Sequence, residues 1–365
     1  MDTVYSIIAF VIIFCIVVVS HEFGHFIVAK INGIKVVEFS VGMGPKIFKI
    51  KKGETTYSLR LLPLGGACVF EDEDALYEED EEHKKQLDEN PLESETAATP
   101  GSFRNSPVWV RILTVVAGPV FNIILGYLLA MIIIVFCGSS TTKITEVVEG
   151  FPAYEAGLEA GDVITEINGE NVHIFQEISL IAMLDGGKEW ELEYERDGQR
   201  YNTTLTPVLN GNSYVIGIKG GDMVEGKGLD LFEYSWYEVQ FWLKTTIKSL
   251  QKMVQGQVSK DDIAGPVGVV QVIGDTIEQT QEYGIGTVLL NLVNIALLLS
   301  VNLGVMNLLP VPALDGGRLV LLLVEAVIRK PVPQKLEMII TVAGFIFLMI
   351  VTVLVLFNDI SRFFR

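Results

Sequence analysis

Four long apolar stretches limit the fold of this chain more than any other feature of its sequence. They lie within residues 3–20, 111–143, 282–315 and 337–359. A helix of roughly 20 residues crosses the hydrocarbon core of a bilayer, which is about 30 Å thick. Hydrophobic residues make up 50% of the chain, a share that is high for a soluble protein. The sequence therefore predicts a mainly α-helical membrane protein with four transmembrane helices.

The loop between the third and fourth apolar stretches indicates which way the chain crosses the membrane. It carries four basic residues, Arg318, Arg329, Lys330 and Lys335. Lysine and arginine accumulate in short loops on the cytoplasmic side of a membrane. Because the chain changes side at each span, residues 30–110 are then also cytoplasmic and residues 143–282 lie outside. Because the first and third stretches cross in the same direction, their ends lie on the same face of the membrane.

The net charge of −18 is concentrated in one short run. Between Glu71 and Glu95 there are thirteen acidic residues and only two lysines. A block of this kind is typical of a solvated, poorly ordered loop, which we take as residues 71–97 and to which we assign no chemistry. No basic patch is present to neutralise phosphates, so the composition argues against nucleic-acid binding.

The strongest catalytic signal in the sequence is the motif H-E-F-G-H at residues 21–25. Residues four apart share one face of a helix, so His21 and His25 can bind the same zinc ion. Glu22 can then act as the general base on a water molecule at the metal. Such residues are costly beside a bilayer core and are usually functional there. The alternative is a pair of interfacial histidines that bind no metal.

Catalytic zinc needs a third protein ligand, and Asp315 is the candidate. It ends the third apolar stretch, in the segment N-L-L-P-V-P-A-L-D-G-G at residues 307–317. Pro310 and Pro312 break a helix, and irregular backbone at membrane depth is either buried or lines a cavity. The three cysteines form no C-x-x-C pair and predict neither a disulfide framework nor a cysteine zinc site. The alternative for Asp315 is a simple cap at the end of a span.

Four motifs together resemble the site-2 protease family of intramembrane metalloproteases. They are H-E-F-G-H at 21–25, G-M-G-P at 42–45, A-G-P-V-F-N at 117–122 and the segment at 307–317. They follow one another in the order of the family, and the resemblance covers nearly the whole chain. Within the family, the chain is most similar to bacterial members that regulate sigma factors and carry one PDZ domain.

The resemblance implies a role for each matching residue. It makes His21, His25 and Asp315 the ligands of one zinc ion and Glu22 the catalytic base. It also implies that Asn307 helps to hold the substrate backbone. The predicted substrate-binding residues are Asn307, Pro310, Pro312, Gly42 and Gly44.

Residues 39–70 alternate in a way that predicts β-strands, as in T-Y-S-L-R-L at 56–61. The resemblance implies a membrane-associated β-hairpin or sheet here, whose edge pairs with an unwound substrate. Edge pairing is physically reasonable because a helix must open before its peptide bonds can reach a metal. The alternative is a hairpin with a structural role only.

Residues 143–222 change to short alternating runs separated by glycines, which predicts a β-rich α+β domain. Strands are expected at 144–148 and 162–169. The string F-P-A-Y-E-A-G-L-E-A-G-D at 151–162 resembles PDZ domains of bacterial proteases and implies one extracytoplasmic PDZ domain. A PDZ groove adds a peptide strand to a sheet edge. Whether this groove binds a peptide or the domain filters substrates by size stays open.

Residues 228–282 are predicted to form an amphipathic helix followed by a re-entrant approach to the third span. Apolar residues recur at steps of three and four from Phe232 to Val254, beside a basic stripe that includes Lys244 and Lys248. This pattern is typical of a helix that lies in the membrane interface. The alternative is an ordinary core helix.

The predicted organisation follows from these segments. In chain order it is a first transmembrane helix at 1–30, a cytoplasmic, membrane-associated β segment at 31–107, a second transmembrane helix at 108–138, a PDZ domain at 143–222, the amphipathic and re-entrant segment at 228–282, a third transmembrane helix at 283–317 and a fourth at 338–358.

The predicted function is that of a zinc metalloendopeptidase in the bacterial cell membrane, with its active site toward the cytoplasmic face. The resemblance implies single-span membrane substrates, either anti-sigma factors or signal-peptide remnants, cut after a first-site protease. The lipid bilayer is a second expected partner, and a peptide ligand of the PDZ domain is a further candidate. One alternative is a zinc carrier or sensor, which would not need Glu22. Another is a PDZ scaffold, which would leave the metal motifs unexplained.

Overall fold

The computed structural model describes residues 2–71, 101–211, 213–257 and 265–363. The chain divides into two compact units, of which the first combines Met1–Gly126 with Lys252–Arg365 and the second is Tyr127–Gln251. Apart from Glu71, the predicted acidic loop at 71–97 lies outside the described residues. We call the two parts the membrane unit and the inserted unit.

Helices account for most of the described residues. In chain order they are α1 (Asp2–Ile31), α2 (Val108–Cys137), α3 (Pro152–Glu155), α4 (Phe175–Asp185), α5 (Gly228–Val254), α6 (Pro266–Thr280), α7 (Ile285–Asn307), α8 (Asp315–Ile328) and α9 (Gln334–Phe363). A 3-10 turn, Gln281–Tyr283, joins α6 to α7.

The predicted number of membrane spans is confirmed within the described residues. Four helices are long and apolar enough to cross a bilayer, and their spans are Val4–Ile31, Val108–Cys137, Ile285–Asn307 and Lys335–Ser361. They belong to α1, α2, α7 and α9. Most of their surface faces outward, because apolar side chains are stable against lipid and need no protein cover.

The third span ends earlier than the predicted bound at residue 317. Helix α7 stops at Asn307, residues 308–314 are non-helical, and α8 begins at Asp315. Pro310 and Pro312 explain the break, because proline lacks the amide hydrogen that a helix needs and its ring clashes with the preceding turn. Asp315 therefore begins a new helix. We call residues 308–314 the proline loop.

The predicted strands before residue 70 form one sheet. Strands β1 (Val36–Lys52) and β2 (Thr55–Phe70) are antiparallel partners. Residues 38–41 have Cα partners both at 66–69 and at 56–59, whereas 46–52 pairs with 55–60. A strand has two hydrogen-bonding edges, so residues 38–41 lie between the stretches 56–59 and 66–69. Among the described residues, these pairings leave 66–69 at one edge of the sheet and 46–52 at the other.

A buried carboxylate holds this sheet together. The Glu38 side chain is mostly buried and accepts hydrogen bonds from Lys46, Ser58 and Arg60. Burial by itself raises the pKa of Glu38, but the three hydrogen bonds outweigh it and the pKa is lowered. The ionised carboxylate thus links both strands.

The inserted unit is built on short strands. They are β3 (Ser139–Ser140), β4 (Ile144–Val147), β5 (Val163–Ile167), β6 (Glu170–Asn171), β7 (Trp190–Arg196), β8 (Gln199–Leu205), β9 (Val208–Asn210), β10 (Ser213–Val215), β11 (Ile218–Gly220) and β12 (Met223–Val224). Strands β4 and β5 confirm the expectations at 144–148 and 162–169.

Four of these strands form the largest sheet of the inserted unit, in the order β6-β5-β7-β8. Trp190, Leu192 and Tyr194 alternate along β7 and point into one core with residues of α4 such as Ile178. Alternation places every second side chain on the buried face of a sheet. This arrangement confirms a β-rich α+β unit, and the more specific PDZ assignment stays a prediction.

Helix α5 is anchored to the rest of the inserted unit by polar contacts. Lys244 donates to the buried Glu177 carboxylate and to the carbonyl of Asn171. Lys248 pairs with Glu170. The two lysines of the predicted basic stripe therefore make ion pairs within the protein. The interfacial position of α5 stays a prediction.

Candidate metal centre

His21 and His25 lie one turn apart on α1, as the spacing of the motif requires. Their Nε2 atoms are 3.3 Å apart, and both residues are buried, with 8% of each exposed. Each imidazole therefore turns the same nitrogen toward a common point. The continuous helix through residues 21–25 places both side chains on the same face.

Asp315 supplies the third group at this point. Its Oδ2 lies 3.0 Å from Nε2 of His21 and 3.3 Å from Nε2 of His25. The structure thus brings the three predicted ligands together, with their ligand atoms within 4.8 Å of one another. The N-terminal position of Asp315 in α8 allows this, because the proline loop turns the chain back toward α1.

The spacing of the three atoms suits a zinc ion. Zinc binds histidine nitrogen and carboxylate oxygen at about 2.0–2.2 Å in tetrahedral sites. Two ligands at such distances are about 3.3–3.5 Å apart. Two of the separations within the trio are 3.3 Å and the third, between His21 and Asp315, is slightly shorter at 3.0 Å. Two histidines and one carboxylate also match the donor set of catalytic zinc sites with one position left for water.

The backbone of α2 orients one of the histidines. Nδ1 of His25 lies 2.8 Å from the carbonyl oxygen of Thr114. A carbonyl oxygen can only accept, so Nδ1 carries the proton and donates it. Nε2 of His25 is then unprotonated and available to a metal.

Two glycines allow α1 and α2 to approach closely at this level. A Cβ atom on Gly24 would lie 2.4 Å from the carbonyl oxygen of Ala117. A Cβ atom on Gly118 would lie 2.3 Å from Nε2 of His25 and 2.8 Å from Cε1 of His21. All three distances are too short for any real contact. Gly118 therefore leaves the space in which the two imidazole rings lie.

Glu22 lies between the metal cluster and the sheet. Its carboxylate accepts a hydrogen bond from the backbone of Cys68, and its Cγ would be 2.9 Å from a Cβ on Gly66. Gly66 and Cys68 belong to the edge stretch 66–69. The predicted base is thus held beside the histidines by the outermost part of β2.

The predicted substrate-binding residues lie in different places. Nδ2 of Asn307, at the end of α7, is 3.3 Å from Nε2 of His21. Pro310 and Pro312 lie in the proline loop, and the loop supports α9, since a Cβ on Gly344 would lie 2.3 Å from Cβ of Pro312. Gly42 and Gly44 lie on β1 with φ near +90°, where they bend the strand. Their substrate-binding role stays a prediction.

Ion pairs and a cavity surround the carboxylate side of the cluster. Arg111 of α2 forms a two-point ion pair with Glu325 of α8, and both side chains are largely buried. This pair joins the helix behind the histidines to the helix that begins with Asp315. A cavity of about 520 Å³ borders Asp315 and is lined by these ion-pair residues and by Arg104. The charged side chains in its lining give water polar partners next to the cluster.

Comparison with known protein families agrees with this geometry. The family model described as peptidase family M50 matches residues 9–351 of the chain. The chain belongs to peptidase family M50. This assignment confirms the resemblance to the site-2 proteases drawn from the four motifs. The M50 chain is a zinc metalloprotease and a multi-pass membrane protein.

Named relatives of the M50 chain extend over its full length. It is 33% identical to the regulator of sigma-W protease RasP of Bacillus subtilis, with 98% of this chain and 99% of that protein covered. It is 32% identical to the zinc metalloprotease RasP of Bacillus licheniformis, again with 98% of this chain and 99% of the relative covered. Zinc as the cofactor is confirmed by these relatives.

Sequence reasoning missed three residues of this M50 site. Thr114, Gly118 and Asn122 all lie on α2 and contact the histidine rings. The last two belong to the A-G-P-V-F-N motif, which carried the resemblance without being given a role. The glycine and asparagine in that apolar helix, four residues apart, were the available signal. Four-residue spacing on a helix places both on the face toward α1.

Proposed function

We propose that the protein is an intramembrane endopeptidase that cuts single-span membrane proteins after a first-site protease has shortened them. The observation that carries this proposal is the convergence of His21, His25 and Asp315 beside Glu22. The substrates expected are anti-sigma factors or signal-peptide remnants. Support for the first class comes from the similarity to RasP of Bacillus subtilis, which is named as a regulator of sigma-W protease.

The proposed mechanism assigns one task to each polar side chain. When bound, zinc polarises the scissile carbonyl and makes water nucleophilic near neutral pH. His21, His25 and Asp315 hold the ion. The Glu22 carboxylate takes a proton from the attacking water and delivers it to the leaving amide nitrogen. The backbone of Cys68 keeps that carboxylate in place. The cavity next to Asp315 supports this scheme because hydrolysis needs access to water.

Substrate binding at the edge of the sheet is part of the proposal. The stretch 66–69 has a strand partner on one side only among the described residues, and the hydrogen bond from Cys68 directs its other side toward Glu22. An unwound substrate added there would pass the catalytic base. Asn307, close to His21, would hold the substrate from the opposite direction.

Cross-linking tests the edge assignment. In a background in which the native Cys15, Cys68 and Cys137 are replaced by serine, a cysteine scan of the substrate should give disulfides with Ala67→Cys and not with Lys51→Cys, which lies on the opposite edge of the same sheet. Equal cross-linking at both edges would contradict the assignment.

We propose that the active site faces the cytoplasm and that the inserted unit lies outside the cell. The basic residues between α8 and α9 support this orientation through the bias of short cytoplasmic loops. A cysteine in place of Lys330 should then react only with thiol reagents that have crossed the membrane.

We further propose that the inserted unit is a PDZ domain. The motif at 151–162 and the α+β fold of the unit support this assignment.

A reconstituted assay tests the proposed activity. The purified protein and a single-span anti-sigma factor, trimmed of its outer domain, are placed in the same liposomes. Cleavage within the apolar segment is expected, and 1,10-phenanthroline should abolish it because the chelator removes zinc. Added zinc should restore the rate. Cleavage that persists in the chelator, or that needs a soluble substrate, would contradict the proposal.

A further inference from the structure

The two histidines of the metal cluster differ in what their outer nitrogens contact. Nε2 of His21 and Nε2 of His25 both face Asp315. A neutral imidazole that binds a metal through Nε2 carries its proton on Nδ1, and that N–H needs an acceptor. His25 has such an acceptor in the carbonyl of Thr114, at 2.8 Å. For His21 the neighbour of Nδ1 is the amide of Asn122.

The amide of Asn122 is placed with its nitrogen toward the histidine. Its Nδ2 lies 3.4 Å from Nδ1 of His21. An amide nitrogen only donates, so a protonated Nδ1 would face a second donor. Its Oδ1 is buried and has no hydrogen-bond partner among the described residues. A donor facing a donor and an acceptor without a donor are both unfavourable in a dry interior.

A half-turn of the amide about its Cβ–Cγ bond removes the conflict. The oxygen and nitrogen of an asparagine amide are nearly the same in shape, and which is which is assigned from the hydrogen bonds around them. After the half-turn, Oδ1 accepts from Nδ1–H of His21. As placed, Oδ1 has no hydrogen-bond partner among the described residues that would be lost on turning, so the contact with His21 decides between the two orientations.

The position of Asn122 is itself well defined. The residue is fully buried, with 0% exposed. Its backbone carbonyl accepts a hydrogen bond of 2.8 Å from Ser300 of α7, which is also fully buried. Its side chain therefore points at His21 from a fixed point between two spans.

We propose that Asn122 is a positioning residue of the zinc site. Its Oδ1 accepts the Nδ1–H of His21 and so holds the imidazole in the tautomer that leaves Nε2 unprotonated for the metal. The inference rests on the proposed function, since it takes His21 as a zinc ligand. Partners of this kind typically change metal affinity by about tenfold to a hundredfold when they are removed.

Two substitutions of Asn122 test whether its side chain accepts a hydrogen bond from His21 or donates one to it. Asn122→Asp keeps an acceptor toward His21 and has no amide hydrogens, whereas Asn122→Leu keeps the size and loses the hydrogen bond. Zinc affinity of the full-length protein in detergent is measured by competition with a chromophoric chelator. We expect Asn122→Leu to weaken zinc binding about tenfold to a hundredfold and Asn122→Asp to stay within about threefold of the native protein. The cobalt-substituted protein should show a changed visible spectrum only for Asn122→Leu.

Control variants make each outcome interpretable. Asn291→Leu removes an asparagine of α7 whose side chain, among the described residues, bonds to Thr287 of its own helix, and zinc affinity should not change. If Asn122→Leu does not fold, Asn122→Ala takes its place in the same comparison. Native zinc affinity in the leucine or alanine variant, or equal losses in the aspartate and leucine variants, would overturn the proposal for Asn122. Native affinity in His21→Ala would instead overturn the proposed ligand set.

Discussion

Replacing Glu22 by glutamine should abolish peptide-bond cleavage and leave zinc bound. Glutamine has the shape of glutamate and cannot take a proton from water, and general-base catalysis contributes about a hundredfold to ten-thousandfold to a rate. Glu22 is not among the three groups that converge on the metal position, so the zinc content should equal that of the native protein. Cleavage of a reconstituted single-span substrate and metal content by mass spectrometry measure the two quantities on one preparation.

A second glutamate, Glu54 in the turn between β1 and β2, is the matched control for this experiment. Glu54 forms an exposed ion pair with Lys30, so Glu54→Gln makes the same chemical change away from the cluster. It should cleave at the native rate. Equal rates in Glu22→Gln and the native protein would remove Glu22 from its catalytic role. That result would favour a site that binds zinc for another purpose, because a carrier or sensor needs no base.

Adding one methyl group at Gly118 should empty the metal site. The new Cβ would lie 2.3 Å from Nε2 of His25, the nitrogen that faces Asp315. Alanine normally favours a helix interior by about 1 kcal/mol over glycine, so any loss must come from the displaced imidazole. We expect Gly118→Ala to retain less than about a tenth of the native zinc, the loss typical of a disturbed ligand shell, and to show no measurable cleavage.

Gly286 provides the matched control for this substitution. It also lies in a spanning helix, α7, and a Cβ there would meet nothing within 4 Å. Gly286→Ala should therefore keep both zinc and activity. Native zinc content in Gly118→Ala would show that the rings can move aside. In that case the close packing of α2 would not be needed for the site.

Sequence patterns were sufficient to predict the parts of this structure that depend on local periodicity. Hydrophobic length predicted the four spans, and the four-residue spacing of His21 and His25 predicted their common face. Because successive spans cross the membrane in opposite directions, the sequence predicted that Asp315 and His21 lie on the same side of it. The structure places the two residues in contact. These inferences need only helix geometry and the thickness of a bilayer.

Contacts between neighbouring helices were beyond sequence reasoning. Thr114 acts through its backbone carbonyl, which any residue would supply. Gly118 and Asn122 matter because α2 packs against α1 at one particular rotation, and hydrophobic periodicity does not determine that rotation in an apolar helix. Residues 38–41 pair with two stretches of β2, and alternation along a strand does not predict which stretches become its neighbours. The end of α7 at Asn307 was missed because the apolar composition continues past it.

The proposed metal ligands are far apart along the chain, and this affects when during synthesis the protein can become active. His21 and His25 leave the ribosome well before Asp315, which lies 290 residues after His25. The proline loop must also have left the ribosome and turned back before Asp315 can reach α1. A nascent chain therefore has no complete metal site until Asp315 has been made. Neighbouring membrane proteins are not exposed to a complete site before that point.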